Sequence, residues 1–262
     1  MAGLVLCVGL ALGGPARAQG SAFGPGEQST YRVRYLGFTA GTTRITVGAE
    51  MEKFGRPVWP LVAIGQTESF FRVYPIRNRF ISYWDTNRQT TLGSDMYQDE
   101  DKDRREVRIR LISEENKAEV FKQREGQEAQ EQTVEVPAGV MDVAAATFSL
   151  RNKPFRVGDR YEVPIFTGSR VLSMKSEVLG VEVQDTPMGR RPVYKVRVET
   201  SFNGKLAAKR DMFAYFTADA ARVPVRIEAD LVLGKIVAEL SDYKQGRQVS
   251  AAAAALPPRS GG

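Results

Sequence analysis

Histidine is absent from the chain, and cysteine occurs once, at Cys7, inside an apolar leader. These two absences exclude histidine acid or base work, Ser-His-Asp and Cys-His nucleophile pairs, and nearly all zinc, copper and haem sites. Any chemistry would have to rest on carboxylates, Lys, Tyr or Ser. No stretch after the leader approaches the roughly 18 uninterrupted apolar residues of a membrane helix. No glycine-rich run follows a strand and opens a helix with the spacing of a phosphate cradle.

What the chain has at its start is an export pattern. Leu4 to Leu12 form an apolar core, Gly13, Gly14 and Pro15 break it, and Ala16-Arg17-Ala18 supplies the small-x-small pattern of a signal peptidase site. Residues 1–18 read as a signal peptide cut before Gln19, although no Lys or Arg precedes the core. Cys7 follows Leu4-Val5-Leu6 without the small residues of a lipid-attachment box. The expected product is periplasmic or secreted, soluble or peripherally held, with no disulfide. Its formal charge, +6 for the whole chain, is an ordinary solubility margin that also favours anionic lipid headgroups, peptidoglycan or acidic glycans. Lys and Arg are spread along the chain at alternate strand positions, which argues against nucleic acid as a partner.

Alternation dominates from Tyr31 to Leu240. Val107, Ile109 and Leu111 alternate with Arg108 and Arg110; Val225, Ile227 and Ala229 alternate with Arg226, Glu228 and Asp230. A period of two marks half-buried antiparallel strands. Turns are expected at Gly37 to Gly41, Phe54 to Pro57, Thr186 to Gly189, Asn203-Gly204 and Thr217 to Arg222. Roughly twelve to fifteen strands follow, more than a flat sheet tolerates before it curls. One segment breaks the period. From Asp142 to Leu150 a helix is predicted, with Met141, Ala144, Ala145 and Phe148 on its apolar face, closing one end or mouth of the sheet. The fold class is therefore all-β: a single large, strongly curved antiparallel sheet or barrel-like domain over residues 19–247, with one short helix packed against it. Residues 248–262, rich in Ala, Pro and Gly, have too little apolar surface to fold.

No catalytic, cofactor or metal residue can be committed to. Asp99, Asp101 and Asp103 match the first ligand spacings of a calcium loop, but Arg104 stands where its glycine belongs and Arg110 where its bidentate Glu belongs, so a solvated hairpin is the reading. Asp85 after Trp84, and Asp142 at the helix start, are carboxylates that a cleft would have to bring together for hydrolase work. Aromatic runs at Phe70 to Tyr74, Phe80 to Trp84 and Phe213 to Phe216 put large side chains on both strand faces. They fit either a second layer of core or a barrel with an apolar inner wall. Asp142 is placed to cap the helix, and Arg151 to complement the negative end of its dipole. Gly41 and Gly234 suggest bulges or close backbone approach, and Pro224 suits the first residue of a strand.

Several of these pieces together carry a resemblance. Asp142-Val143-Ala144-Ala145, Phe148-Ser149-Leu150-Arg151, Val157-Gly158-Asp159, the run from Thr217 to Val225 and the run from Leu233 to Leu240 resemble the exported bacterial family catalogued as domain of unknown function 3108. Phe23 to Glu27, Tyr31 to Tyr35 and Ala40-Gly41 fit that family's start. Ala144-Ala145 departs from the bulkier residue and Ser of many relatives. The resemblance implies an exported, strand-rich, barrel-like domain and offers no activity, cofactor or site to transfer. Three functions remain open: a non-enzymatic envelope carrier of a hydrophobic or lipid-like component, an interaction protein contacting another envelope protein or a polysaccharide, and a carboxylate hydrolase. A barrel in the outer membrane also alternates, but most runs here are shorter than the roughly 9 to 11 residues its strands need.

Overall fold

The computed structural model describes residues 21–67, 76–100, 103–202, 212–231 and 234–247. The leader and its Cys7, the Phe70 to Tyr74 run, Asp101, Asn203-Gly204, Leu233 and the Ala/Pro/Gly tail lie outside the described residues.

Among the described residues fifteen strands form one antiparallel sheet: β1 (Gln28–Tyr35), β2 (Phe38–Val47), β3 (Met51–Lys53), β4 (Arg56–Thr67), β5 (Ile76–Asp85), β6 (Thr90–Glu100), β7 (Asp103–Ile112), β8 (Lys117–Arg124), β9 (Gln130–Glu135), β10 (Arg160–Phe166), β11 (Val171–Gln184), β12 (Arg191–Phe202), β13 (Met212–Thr217), β14 (Pro224–Leu231) and β15 (Gly234–Lys244). Apart from β3, which pairs only with β4 while β2 passes over to β4, strands adjacent in sequence pair up to β9 and again from β10, and the first and last strands zip together, Tyr31 opposite Leu240 and Val33 opposite Ala238. The sheet is thus a circular meander with one break, between β9 and β10, where α1 (Val143–Arg151) is inserted.

The break is bridged without being closed. Met141 donates from its backbone to Pro164 at 2.9 Å and accepts from Phe166 at 2.9 Å. An apolar cluster of Phe166 with Ile109, Leu111, Val120, Val136 and Val140 spans the gap. Burial of side chains holds the two edges together where the ladder of hydrogen bonds stops.

Turn chemistry sets the register at both hairpins flanking β2 and β3. Leu36 and Gly37 have φ of 50° and 85°, and Phe54 and Gly55 have 53° and 73°, the left-handed pairs that two-residue hairpins require. The first turn is therefore Leu36-Gly37 and not Gly37 to Gly41, and β2 already begins at Phe38. Gly41 sits within that strand because a Cβ there would lie 2.3 Å from the Gln66 carbonyl oxygen, and the β1–β2 register shifts beside it. Gly234 is the first residue of β15, with φ of 91°. Pro224 opens β14.

The helix lies inside the curve of the sheet and splits the core. Ala145 and Phe148 pack with Phe23, Val47, Trp59, Leu61 and Trp84. Ala146 and Leu150 pack on the opposite side with Phe155, Ile165, Val178, Val196 and Phe216. Its buried surface is Ala145, Ala146, Phe148, Ser149, Leu150 and Arg151, broader than the single stripe of Met141, Ala144, Ala145 and Phe148 that its spacing suggests. The reason is that sheet wraps both sides of it. A helix of this length persists by such burial and not by propensity.

Candidate functional site

Two buried polar residues seat the helix. Asp142 is its N-cap: Oδ1 accepts the Ala145 N–H at 2.9 Å, and Oδ2 accepts from Ser82 Oγ at 2.6 Å and Thr91 Oγ1 at 2.9 Å. Burial pushes its carboxyl above the ordinary value of 3.8, against the pull of those donors. At the other end Arg151 is closed in on every side. It donates to Glu27 Oε1 at 2.6 Å and Oε2 at 3.1 Å, to the Ala221 carbonyl from Nε at 3.1 Å and Nη2 at 3.0 Å, and to the Ala22 carbonyl at 3.3 Å. The Phe148 ring lies 5.0 Å away. Dipole complementarity is thus a small part of its role. It ties the N-terminal segment, the helix end and the β13–β14 turn to one point.

A raised carboxyl pKa has a testable sign. A group whose folded value exceeds its unfolded one stabilises the fold most below the unfolded value, and that contribution is lost as pH rises towards the folded one. We expect Asp142→Asn, which keeps the cap acceptor, to cost less at pH 7 than Asp142→Ala, which forfeits about 1–2 kcal/mol of cap. The wild-type advantage over Asp142→Asn should be larger at pH 4 than at pH 7. Urea denaturation of both variants at the two pH values measures this, and an advantage that grows with pH would contradict the assignment.

The carboxylates considered for hydrolysis do not form an open pair. Asp85 Oδ1 accepts the backbone N–H groups of Asn87 and Arg88 at 2.9 and 3.0 Å, and Oδ2 lies 3.4 Å from Arg56. Asp85 thus caps a turn while Asp142 caps the helix. In the acidic loop, Asp99 faces Arg104 at 3.4 Å, and Asp103 faces Arg124 at 2.7 Å and Arg105. Arg110, in the place of the calcium loop's final Glu, pairs with Glu119 at 3.3 Å. These carboxylates are neutralised by arginine and not arranged around a shared centre.

Residue types left for chemistry do meet on the outer face, where the sequence pattern did not single them out. Tyr83 donates to Asp95, and Lys53 Nζ lies 3.3 Å from the Tyr83 hydroxyl, 3.7 Å from Asp95 and 4.3 Å from the Tyr83 ring centroid. Lys53 and Asp95 line one wall of a groove of about 690 Å³ with Phe54 and Arg110, and Tyr83 lies behind them. Burial, followed by the hydrogen bond to Asp95, pushes the Tyr83 hydroxyl well above its usual range, so it is held protonated and is a poor nucleophile or base. The group works as a latch: Tyr83 also packs with Val58 and Leu92 beneath the β3–β4 hairpin. On this part of β5 the aromatic run has its second layer outside the sheet.

The inner face differs. Trp84 is core, so Ser82 and Phe80, two and four residues before it, share its side of the strand. In register, Phe80 lies between Ala63 and Met96, and Met96 faces Val107. A second inner row runs Val198, Met212, Ala229, Ile236 and Tyr35, with Phe38 opposite Tyr35. Within these rows Val198 alone is buried. Ala63, Phe80, Met96, Val107, Met212, Ala229, Ile236 and Tyr35 are half-buried, and Phe38 is 63% exposed. The second row reaches the end of the sheet that bears the β1–β2 turn, whereas beyond the first row towards that end the same face carries Gly65, Asn78 and Gln98. The inner wall formed by the two rows is the candidate site. Among the described residues, these two rows offer apolar area.

Comparison with known proteins agrees with the fold and adds no activity. A beta-barrel-like protein of domain of unknown function DUF1849 from Brucella abortus is similar with a TM-score of 0.59 and 11% identity, over 85% of this chain and 98% of that one. A protein inferred to be exported, with a YmcC-like fold, from Bacteroides fragilis gives a TM-score of 0.35 at 13% identity over 87% and 100% of the two chains. No curated protein sequence matches. The family model described as protein of unknown function DUF3108 matches residues 30–241, and the chain therefore belongs to that family.

Proposed function

We propose that this protein is an exported, non-enzymatic envelope module that binds or carries a hydrophobic, lipid-like component on the inner wall of its sheet. The observation that carries this reading is the pair of apolar rows left half-buried beyond α1. Large concave apolar surface near a few polar groups is the usual form of a ligand site. The engagement of Asp85 and Asp142 in capping, and the raised pKa of Tyr83, support a binding role over hydrolysis. The leader pattern at residues 4–18 supports export.

Native mass spectrometry of protein purified from its own envelope should reveal a co-purifying apolar mass. After delipidation, a fluorescent fatty acid serves as probe. Phe80→Asp with Met96→Asp should weaken its binding by at least about tenfold, the equivalent of one buried apolar side chain, whereas Ile64→Asp on the outer face should not. Equal loss in both variants, or no binding by the wild type, would refute the assignment of the wall.

A second reading, docking of another envelope protein, has its own observation. β11 continues to Gln184 past the end of β10, whose pairing stops at Glu177. That overhang exposes Leu179, Val181 and Val183, an unpaired strand edge of the kind that accepts an added strand.

A further inference from the structure

On the outer face of β1, β2, β4 and β5, register gathers arginines that stand apart in the sequence. One row runs Arg32, Thr42, Gln66, Arg77, and the next runs Arg44, Ile64, Arg79, Tyr97. Strands lie about 4.8 Å apart and alternate residues about 6.8 Å apart along a strand, so these guanidinium groups rise from one patch four strands wide. Most other arginines of the described structure are ion-paired. Among the described residues, Arg32, Arg44 and Arg77 have no ion-pair partner, and Arg79 only rests on the Tyr97 ring at 4.6 Å. The nearest carboxylates in the first row are already engaged: Glu239 by Arg34 and by Arg226 at 3.2 Å, and Asp99 by Arg104. In the second row Glu106 holds Arg108 at 3.1 Å, and Asp242, opposite Thr30 at the row's other end, is the one carboxylate in register without an ion pair among the described residues. Ile64, 47% exposed, stands within the patch. A groove of about 510 Å³ opens beside it, lined by Ile64, Arg77, Arg79 and Tyr97.

From this we infer that the β1–β2–β4–β5 face docks on a bilayer surface containing anionic lipid. Unpaired guanidinium groups supply the attraction to phosphate. Ile64 and Tyr97 supply apolar and amphipathic contact at headgroup depth, which a polysaccharide or nucleic acid would leave unused. The inference is independent of whether the inner wall holds a ligand, because the two surfaces are opposite faces of the sheet.

The test is sedimentation of the delipidated protein with vesicles, either phosphatidylcholine alone or phosphatidylcholine with phosphatidylglycerol. Binding is expected only with the anionic vesicles and should fall as salt rises from 50 to 500 mM. Arg44→Glu with Arg77→Glu should reduce partitioning by at least about 30-fold, since each basic residue near such a surface contributes about fivefold. Lys153→Glu with Arg190→Glu, the same charge change elsewhere on the exposed surface, should reduce it only slightly. All these side chains are exposed, and equal melting temperatures would verify folding. Equal binding to both vesicle types, or equal loss in the two double variants, would overturn the proposal. Loss of heparin binding by the first variant without any vesicle binding would also overturn it, in favour of an acidic glycan.

Discussion

Replacing Arg151 by Met is expected to destabilise the protein by about 3–5 kcal/mol, the usual cost of removing one member of a buried ion pair. The side chains of Arg151 and Glu27 are 1% and 4% exposed. Met would leave the Glu27 carboxylate without its fork of donors, and the Ala22 and Ala221 carbonyls without the guanidinium N–H groups that satisfy them. The loss should appear as a fall in melting temperature of roughly 10–15 °C for a domain of this size. Arg151→Lys should recover little, because an ammonium has no planar fork to serve Glu27 and two carbonyls together. Adding Glu27→Gln to Arg151→Met should restore part of the loss, since the uncompensated charge is then gone; such coupling is expected of groups in contact. Chemical denaturation of the wild type, these three variants and Glu27→Gln alone measures it. Strictly additive losses, or a single-variant loss below about 1 kcal/mol, would show that the pair does not hold the helix end.

This hub also shows what the sequence could and could not reveal. Alternation is a local signal, so the strands, the short helix, the Asp142 cap and the place of Pro224 were all legible. The partner of Arg151 was not. Glu27 stands 124 positions away in a Gly- and Pro-rich segment that reads as a plain approach to the first strand, and nothing local marks Phe23 as the ring against Trp59, Trp84 and Phe148. The arginine patch was hidden for a related reason. Residues scattered at alternate positions read as a solvated face, and only the register of β1, β2, β4 and β5 makes neighbours of them. Lys53, Tyr83 and Asp95 likewise meet through a hairpin folded over the sheet, where the turn signal at Phe54 to Pro57 was the one local clue. In the other direction, the apolar spacing of the helix suggested one buried stripe, because periodicity cannot report that sheet will cover a helix on two sides.

Phe148→Ala should cost about 3–5 kcal/mol, the range for truncating a buried aromatic. The ring meets Phe23 edge-on at 4.6 Å between centroids and lies beneath the Arg151 guanidinium, so its removal opens a void at the junction of helix, N-terminal segment and Trp pair. Leu150→Ala, on the other side of the same helix, should cost about 2–5 kcal/mol by emptying a different cluster. Val143→Ala, at an exposed position of the first turn, should remain within about 0.5 kcal/mol. The contrast decides how the fold is organised. Large losses on both sides mean that the helix is a central wedge against which both parts of the sheet pack. In that case the two variants should also weaken retention of the fatty-acid probe, because the inner wall beyond the helix keeps its curvature only while the wedge is in place. A Phe148→Ala loss below about 1 kcal/mol would instead place the helix outside the load of the core, and the apolar wall would then owe its shape to the strands alone.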